Sequence, residues 1–358
     1  MKRIQYKDFS WNLHQKAGNK PIVCQMELTF RCPLDCAHCY TGCYNRKGSL
    51  KSELSTRQVK TILDKCKESG VVWLCFTGGD PLVRKDFPEI YTYAKKLGFL
   101  INVFTSLIPL NKKMVSLFKR YPPFNIETTL NAAEAVAYRQ ITGRRFFNKH
   151  SEAIKILLKN KLPIRVKTQV TRQNIAQIKK IKRMVESWKL KFRPSTMVFA
   201  RLNQDASVCN LRLPPEEAAS VNKKYGYFEE EYLPQKRPEI KDLIGVPEGN
   251  KLFRCAIGGH AFWVSPQGRM FLCNCLRRPD YDLLKKDSAI SRGFYLLNKS
   301  VQRMKFKTSS YCRRCKYSFI CSWCPGRACL EKKSLEEPIE YFCCLTQATL
   351  KANKSKGQ

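Results

Sequence analysis

Six apolar, β-branched runs recur between residues 21 and 199: "PIVCQMELTF", "VVWLCF", "FLINVF", "FNIETTL", "LPIRVKTQV" and "KFRPSTMVF". Amphipathic stretches separate them. In the clearest of these, Ser55 stands as an N-cap, Gln58 completes a capping box, Val59, Ile62 and Leu63 form an apolar stripe, and Gly70 lies past the end. Cys66 continues that stripe and reads as a core residue. Asn174 reads as the N-cap of a helix carrying Ile175, Ile178, Ile181 and Val185. Strands alternating with helices demand a parallel sheet, and right-handed crossovers curl such a series toward a barrel. Six units instead of eight predict an open, partial (β/α)6 barrel. Ligands in such architectures gather at the C-terminal ends of the strands. The segments "RCPLDCAHC", "TGGDP", "TS" and "TTLNAA" follow strands one to four at that end.

With 358 residues, 43% of them hydrophobic and 11% aromatic, the chain can bury a large core, which excludes wholesale disorder. The expected organisation is an N-terminal extension over 1–20, the barrel over 21–200, a Pro- and charge-containing connector over 201–250, and a cysteine-rich region over 251–358. That last region has few long apolar runs, so it needs metal to fold stably. The first twenty residues hold no apolar signal-like core and no run of 18 apolar residues follows, so a soluble, cytoplasmic protein with no membrane partner is expected. The 66 Lys and Arg against 29 Asp and Glu give a net charge of +37. Such an excess points to an anionic partner, an acidic peptide or a nucleic acid, the plainer alternative being a solvated lysine-rich surface.

Eighteen cysteines in a reducing compartment are not a disulfide framework. Grouped at short spacing, they point to metal. Cys32, Cys36 and Cys39 form C-x3-C-x2-C, which leaves one metal position without a local ligand. Closed zinc sites are four-coordinate and usually built from paired C-x2-C units, whereas a [4Fe-4S] cluster on three thiolates keeps one iron open for chemistry.

These residues resemble the radical S-adenosylmethionine (radical SAM) superfamily, whose core is a partial (β/α)6 TIM-like barrel. The resemblance implies that Cys32, Cys36 and Cys39 hold a [4Fe-4S] cluster, with His38 and Tyr40 flanking the last cysteine near the adenine. It places Gly78, Gly79 and Asp80 on the Gly-Gly-Glu motif that meets the cofactor's amino group, with Asp in the place of Glu. Thr105 and Ser106 fall on a cofactor loop, Thr129 on a serine that binds polar groups of SAM, Arg139 on a partner of its carboxylate, and Val170 on the strand end beside the adenine. Beyond the barrel, Cys255, Gly268 and Cys273, followed by Cys312, Cys315, Cys321 and Cys324, resemble the SPASM domain and imply two auxiliary [4Fe-4S] clusters. Cys312, Cys315, Cys321 and either Cys343 or Cys344 would hold the outer one, and Cys255, Cys273 and Cys324 the inner one. Its fourth ligand is Cys275 or Cys329, or else the iron is open.

The resemblance implies reductive cleavage of SAM and hydrogen abstraction from a peptide or protein substrate, typically maturation of a ribosomally made peptide by cross-linking, epimerisation or oxidation. An acidic precursor peptide suits the charge, a flavodoxin- or ferredoxin-type protein would supply electrons, and either a separate peptide-recognition protein or direct binding by the basic surface would replace the winged-helix module for which no room exists before residue 20. The alternatives are an anaerobic sulfatase-maturating enzyme, disfavoured because Asn274 stands where a catalytic aspartate is expected, a haem-pathway enzyme, an RNA-modifying enzyme without a recognisable RNA module, and a non-catalytic iron-sulfur carrier.

Overall fold

The alternation materialises as strands β1 (Val23–Thr29), β2 (Trp73–Gly78), β3 (Leu100–Phe104), β4 (Asn125–Thr129), β5 (Ile164–Gln169) and β6 (Arg193–Ser195), parallel and side by side in chain order. This is a computed structural model, and it describes residues 13, 16–44, 53–226, 243–255 and 257–354. Helices α1 (Thr56–Glu68), α2 (Phe87–Lys96), α3 (Lys112–Arg120), α4 (Ala135–Thr142), α5 (Phe147–Lys159) and α6 (Ile178–Ser187) return the chain between strands. Side chains alternate across a strand. Cys24, Met26 and Leu28 of β1, Leu74 and Phe76 of β2, and Ile101 and Val103 of β3 accordingly join the buried core together with Val59, Ile62, Leu63 and Cys66 of α1. The other face carries Gln25, Glu27, Cys75, Asn102, Glu127 and Lys167. A sheet apolar on its helix side and polar on its inner side has a lumen suited to polar ligands.

The capping box at Ser55 forms as expected: its Oγ accepts from the Gln58 amide at 3.3 Å, and Gln58 Oε1 accepts from the Ser55 amide at 2.9 Å. Asn174 does not cap its helix. Its side chain is buried and instead donates to the carbonyls of Asn131 (2.9 Å) and Gln169 (2.8 Å), lacing the ends of β4 and β5 together. The side-chain oxygen that would cap the helix accepts instead from the Thr171 amide at 2.8 Å, so no helix N–H receives it.

The cysteine-rich region begins by extending the barrel's own sheet. Strand β7 (Ala261–Val264) pairs in parallel with the free edge of β1, and β8 (Arg269–Phe271) and β9 (Tyr281–Asp282) follow antiparallel. An unpaired edge leaves backbone donors and acceptors without partners, and β7 covers that of β1. Helix α7 (Pro215–Tyr225), within the expected connector, packs on the last helix. After α8 (Ile290–Gln302), the described residues continue with α9 (Pro325–Lys332) and that last helix, α10 (Glu340–Lys354). Among the described residues, no helix is long and apolar enough to cross a membrane.

Candidate iron-sulfur and cofactor site

The loop after β1 carries Cys32, Cys36 and Cys39, and backbone contacts fasten it on several sides. The amides of Gly79 and Asp80 donate to the carbonyls of Thr29 (2.7 Å) and Arg31 (2.8 Å). The amides of Asp35 and Ala37 donate to Thr142 and Ile141, both at 2.9 Å, at the C-terminal end of α4. Arg201 reaches the Ala37 carbonyl at 3.1 Å, and the Leu202 amide donates to the Tyr40 carbonyl at 3.0 Å. The glycines are needed for this closeness. A Cβ on Gly79 would lie 2.4 Å from the carbonyl oxygens of both Phe30 and Arg31, and one on Gly78, whose φ is +125°, would lie 2.1 Å from that of Thr29.

The three thiols are free and mutually close enough to repel as thiolates. Burial pushes Cys32 up to about 12, with the Asp80 carboxylate and the Cys39 sulfur adding to the effect. Burial likewise raises Cys36, reinforced by Cys39 and Cys32. Two thiols that resist ionisation, Cys32 and Cys36, beside a third at Cys39 fit a cationic cluster, since ligation supplies the positive charge such thiolates lack and releases their protons. Among the described residues, no three His, Cys, Asp or Glu side chains are placed to share one metal ion. A four-iron cube makes a different demand, because each thiolate meets its own iron.

Asp80 is completely buried. Its Oδ1 accepts from the Leu82 amide (3.0 Å) and Thr105 Oγ1 (2.9 Å), and its Oδ2 from the amide (2.9 Å) and hydroxyl of Ser106. Burial raises its carboxyl and these donors pull it back, the net displacement being upward. Thr105 Oγ1 in turn accepts from the Leu107 amide at 3.0 Å. Asp80 therefore holds the Thr105–Ser106 loop against the end of β2, and the three residues expected at the cofactor converge. Thr129 is exposed at the open end of β4, and Val170 is buried with its amide on the Ser195 carbonyl at 2.8 Å. Arg139 is exposed on the last turn of α4.

Burial holds His38 down to about 4, so its imidazole is neutral at pH 7. Its Nε2 lies 3.4 Å from the Asn131 amide nitrogen, while its Nδ1 is buried without a partner. An orphaned buried ring nitrogen at the strand ends fits a polar ligand atom. Tyr40 lies beside Glu27, Cys39, Arg277 and Cys275, between the first cysteine set and the C-terminal ones, and burial raises its phenol.

The C-terminal cysteines fall into two groups. Burial pushes Cys312 up to about 12, with Cys343, Cys321 and Cys315 adding to it; burial also raises Cys343, reinforced by Cys321, Cys315 and Cys344. Of the last two cysteines, Cys343 is the one beside this set. The second group is Cys255, Cys273, Cys275 and Cys324. The Cys275 thiol donates to Cys273 and holds that thiol down at about 6, while burial raises Cys255 and Cys324, which both feel Cys273. Cys275 thus stands with the group to which the sequence could not assign a fourth member, and Cys329 offers its backbone carbonyl to Gln204.

Two lumen features escape the sequence reading. Arg277 makes a bidentate pair with the buried Glu27 (2.7 and 2.6 Å), and Lys167 meets Glu127 at 2.5 Å over the Phe104 ring. Asn131, inside the "TTLN" segment, is a third omission: it joins His38 to the Gln169 amide.

Residues 26–184 match the family model of the radical SAM superfamily. The fold is shared along most of the chain with Streptococcus suis SuiB bound to S-adenosylmethionine, at 13% identity and a TM-score of 0.67, covering 96% of this chain and 84% of that one. SuiB bound to its precursor peptide SuiA gives 14% identity and 0.68, covering 91% and 77%. Native anSMEcpe with bound AdoMet gives 14% and 0.64, covering 94% and 98%.

Proposed function

We propose, from the match of residues 26–184 to the radical SAM family model, that this chain is a radical SAM enzyme with a SPASM-type C-terminal region that abstracts hydrogen from a peptide and so matures it. The bound cluster and SAM supply a 5′-deoxyadenosyl radical by one-electron reduction. The observation that carries the reading is the convergence, at the C-terminal ends of β1, β2 and β3, of three free thiols with the Asp80-anchored loop. Cys32, Cys36 and Cys39 hold the cluster. The neutral His38 and the hydroxyls of Thr105, Ser106 and Thr129 orient polar atoms of the cofactor. Arg139, on the outer surface of α4, is not part of this proposal.

The peptide reading is supported by the fold shared with SuiB, seen with its precursor peptide, and with anSMEcpe, seen with AdoMet and the Cp18Cys peptide. Asn274 sits beside Cys273, its Oδ1 at 3.8 Å from that sulfur. An amide is no general base, which sets this chain apart from formylglycine formation. The charge of +37 suits an acidic precursor and an acidic flavodoxin- or ferredoxin-type donor. Cys312, Cys315, Cys321 and Cys343 hold an outer auxiliary cluster, and Cys255, Cys273, Cys275 and Cys324 an inner one.

The test is anaerobic reconstitution with iron and sulfide, then dithionite and SAM, with 5′-deoxyadenosine measured by chromatography and candidate acidic peptides by mass spectrometry. About twelve irons per chain are expected from three four-iron clusters, with 5′-deoxyadenosine formed and a hydrogen-loss or cross-link mass change in a peptide. The Cys32, Cys36 and Cys39 to Ala triple variant loses about four irons and all cleavage. Cleavage retained by that variant refutes the assignment.

A further inference from the structure

The first turn of α9 is built against the inner cysteine group. Cys324 is its N-cap, with Sγ accepting from the Arg327 amide at 3.5 Å. Gly326 packs on Cys275 so closely that a Cβ would lie 3.1 Å from that residue's Cβ. This docking puts the Arg327 side chain within electrostatic reach of all four thiols: Cys255, Cys273, Cys275 and Cys324 each feel its charge. The guanidinium is held by Nη1 donating to the Ser322 carbonyl and by the rings of Phe199 and Phe342, 5.8 and 5.7 Å away. Its Nε is buried and makes no hydrogen bond. Buried guanidinium donors normally find acceptors, so an orphaned Nε on a side chain whose charge reaches four thiols marks a missing anionic partner.

We propose that Arg327 is the fixed counter-charge of the inner auxiliary cluster, donating from its Nε toward the cluster's sulfur atoms and raising the cluster's reduction potential. The inference rests on the reading of Cys255, Cys273, Cys275 and Cys324 as that cluster's ligands. Four thiolates on a doubly positive iron-sulfide core give a net charge of −2, and one added electron makes it −3. A permanently cationic group beside the core favours the more negative state, and hydrogen bonds to cluster sulfurs act in the same direction. Arg327 is therefore a positioning residue: it touches neither substrate nor SAM, and it sets how readily the inner cluster takes up an electron.

The experiment uses the full chain in the Cys32, Cys36 and Cys39 to Ala background, so that only auxiliary clusters remain, with anaerobic dithionite titration in redox mediators followed by EPR and iron analysis. About eight irons per chain are expected there. A count well below that, before Arg327 is touched, refutes the auxiliary-cluster reading and not this inference. With the clusters present, Arg327→Met shifts one of the two couples downward, cutting its reduced fraction at fixed potential about tenfold, or about 59 mV for one electron. The outer couple stays in place as an internal reference. Arg327→Lys, which keeps the charge, moves the inner couple by less than about threefold, under 30 mV on the same scale. If Arg327→Met instead loses about four irons, Arg327→Gln, which keeps a hydrogen-bond donor without the charge, takes its place and is expected to show the same downward shift. It is overturned if Arg327→Met keeps all its iron with both couples unmoved, if Lys shifts the couple as far as Met, or if both variants lose the inner iron.

Discussion

A carboxylate that only binds a cofactor matters when the cofactor is present; one that ties loops together matters without it. Asp80 has four internal donors on two oxygens, which fills the lone-pair sites of a carboxylate. In Asp80→Ala the hydroxyls of Thr105 and Ser106 can rotate to other acceptors, but the amides of Leu82 and Ser106 cannot. Each buried amide left unsatisfied costs about 1–3 kcal/mol, so the variant should lose about 2–6 kcal/mol. Asp80→Asn keeps one acceptor oxygen and turns an NH2 toward donors, a loss of about 1–3 kcal/mol. Against a total stability on the order of 10 kcal/mol, both are large.

The assay is urea unfolding of anaerobically reconstituted protein with and without saturating SAM, alongside SAM binding by equilibrium dialysis and iron analysis. The expected order of stability without SAM is wild type, then Asn, then Ala. Both variants bind SAM more weakly because the Thr105–Ser106 loop is no longer fixed, and both keep their iron while folded, since Asp80 ligates none. If Asp80→Ala unfolds within about 0.5 kcal/mol of wild type in the absence of SAM, the scaffold argument fails, because surface-like values of that size mean the four hydrogen bonds hold nothing in place. Loss of iron from the folded variant would separately show that Asp80 belongs to the metal site.

Gly79→Ala should displace the cysteine loop, because the new methyl meets only backbone atoms; folded variant with wild-type iron content and SAM cleavage would refute the steric argument. Gly70→Ala is the control, with nothing near its Cβ and a φ of +81°, and should cost only the left-handed penalty of about 1–2 kcal/mol. Burial holds His150 down to about 4, so between that value and its ordinary 6.5 the unfolded chain takes a proton the native one refuses. Its neutral form hydrogen-bonds Thr128 Oγ1 at 2.8 Å. Stability from this residue is complete above about pH 6.5 and falls by about 3 kcal/mol toward pH 4. His150→Gln should flatten that part of the stability profile, and an unchanged slope would contradict the assignment.

What the sequence made legible was local. Alternating hydrophobicity, a capping box four residues long and cysteines three or four apart all declare themselves within one element, and the six strands and cysteine groups follow from them. What stayed hidden depends on pairing across the chain. Asn174 looks like a cap, and nothing local shows that its amide donates across the barrel mouth to the carbonyls of Asn131 and Gln169. The attachment of β7 to β1, which joins the cysteine-rich region to the barrel, leaves no local signal because an edge is defined only once the sheet exists.

The Glu27 and Arg277 pair is the extreme case, bridging 250 positions of sequence. Nothing in "QMELT" or "CLRRP" marks either residue. In the fold, Glu27 is 1% exposed and the guanidinium lies 4.6 Å from the Phe271 ring and 5.5 Å from that of Phe30. A charge buried among rings tolerates loss of its partner poorly. Glu27→Leu alone should therefore cost about 3–5 kcal/mol by stranding the guanidinium, whereas Glu27→Leu with Arg277→Leu should recover most of that, since a buried ion pair replaced by apolar side chains is often neutral. Urea unfolding of the two single variants and the double one closes the cycle. If the double variant is as unstable as the sum of the singles, the pair is not coupled. The link between β1, which leads into the first cysteine set, and the loop after Cys275 would then rest on β-pairing alone.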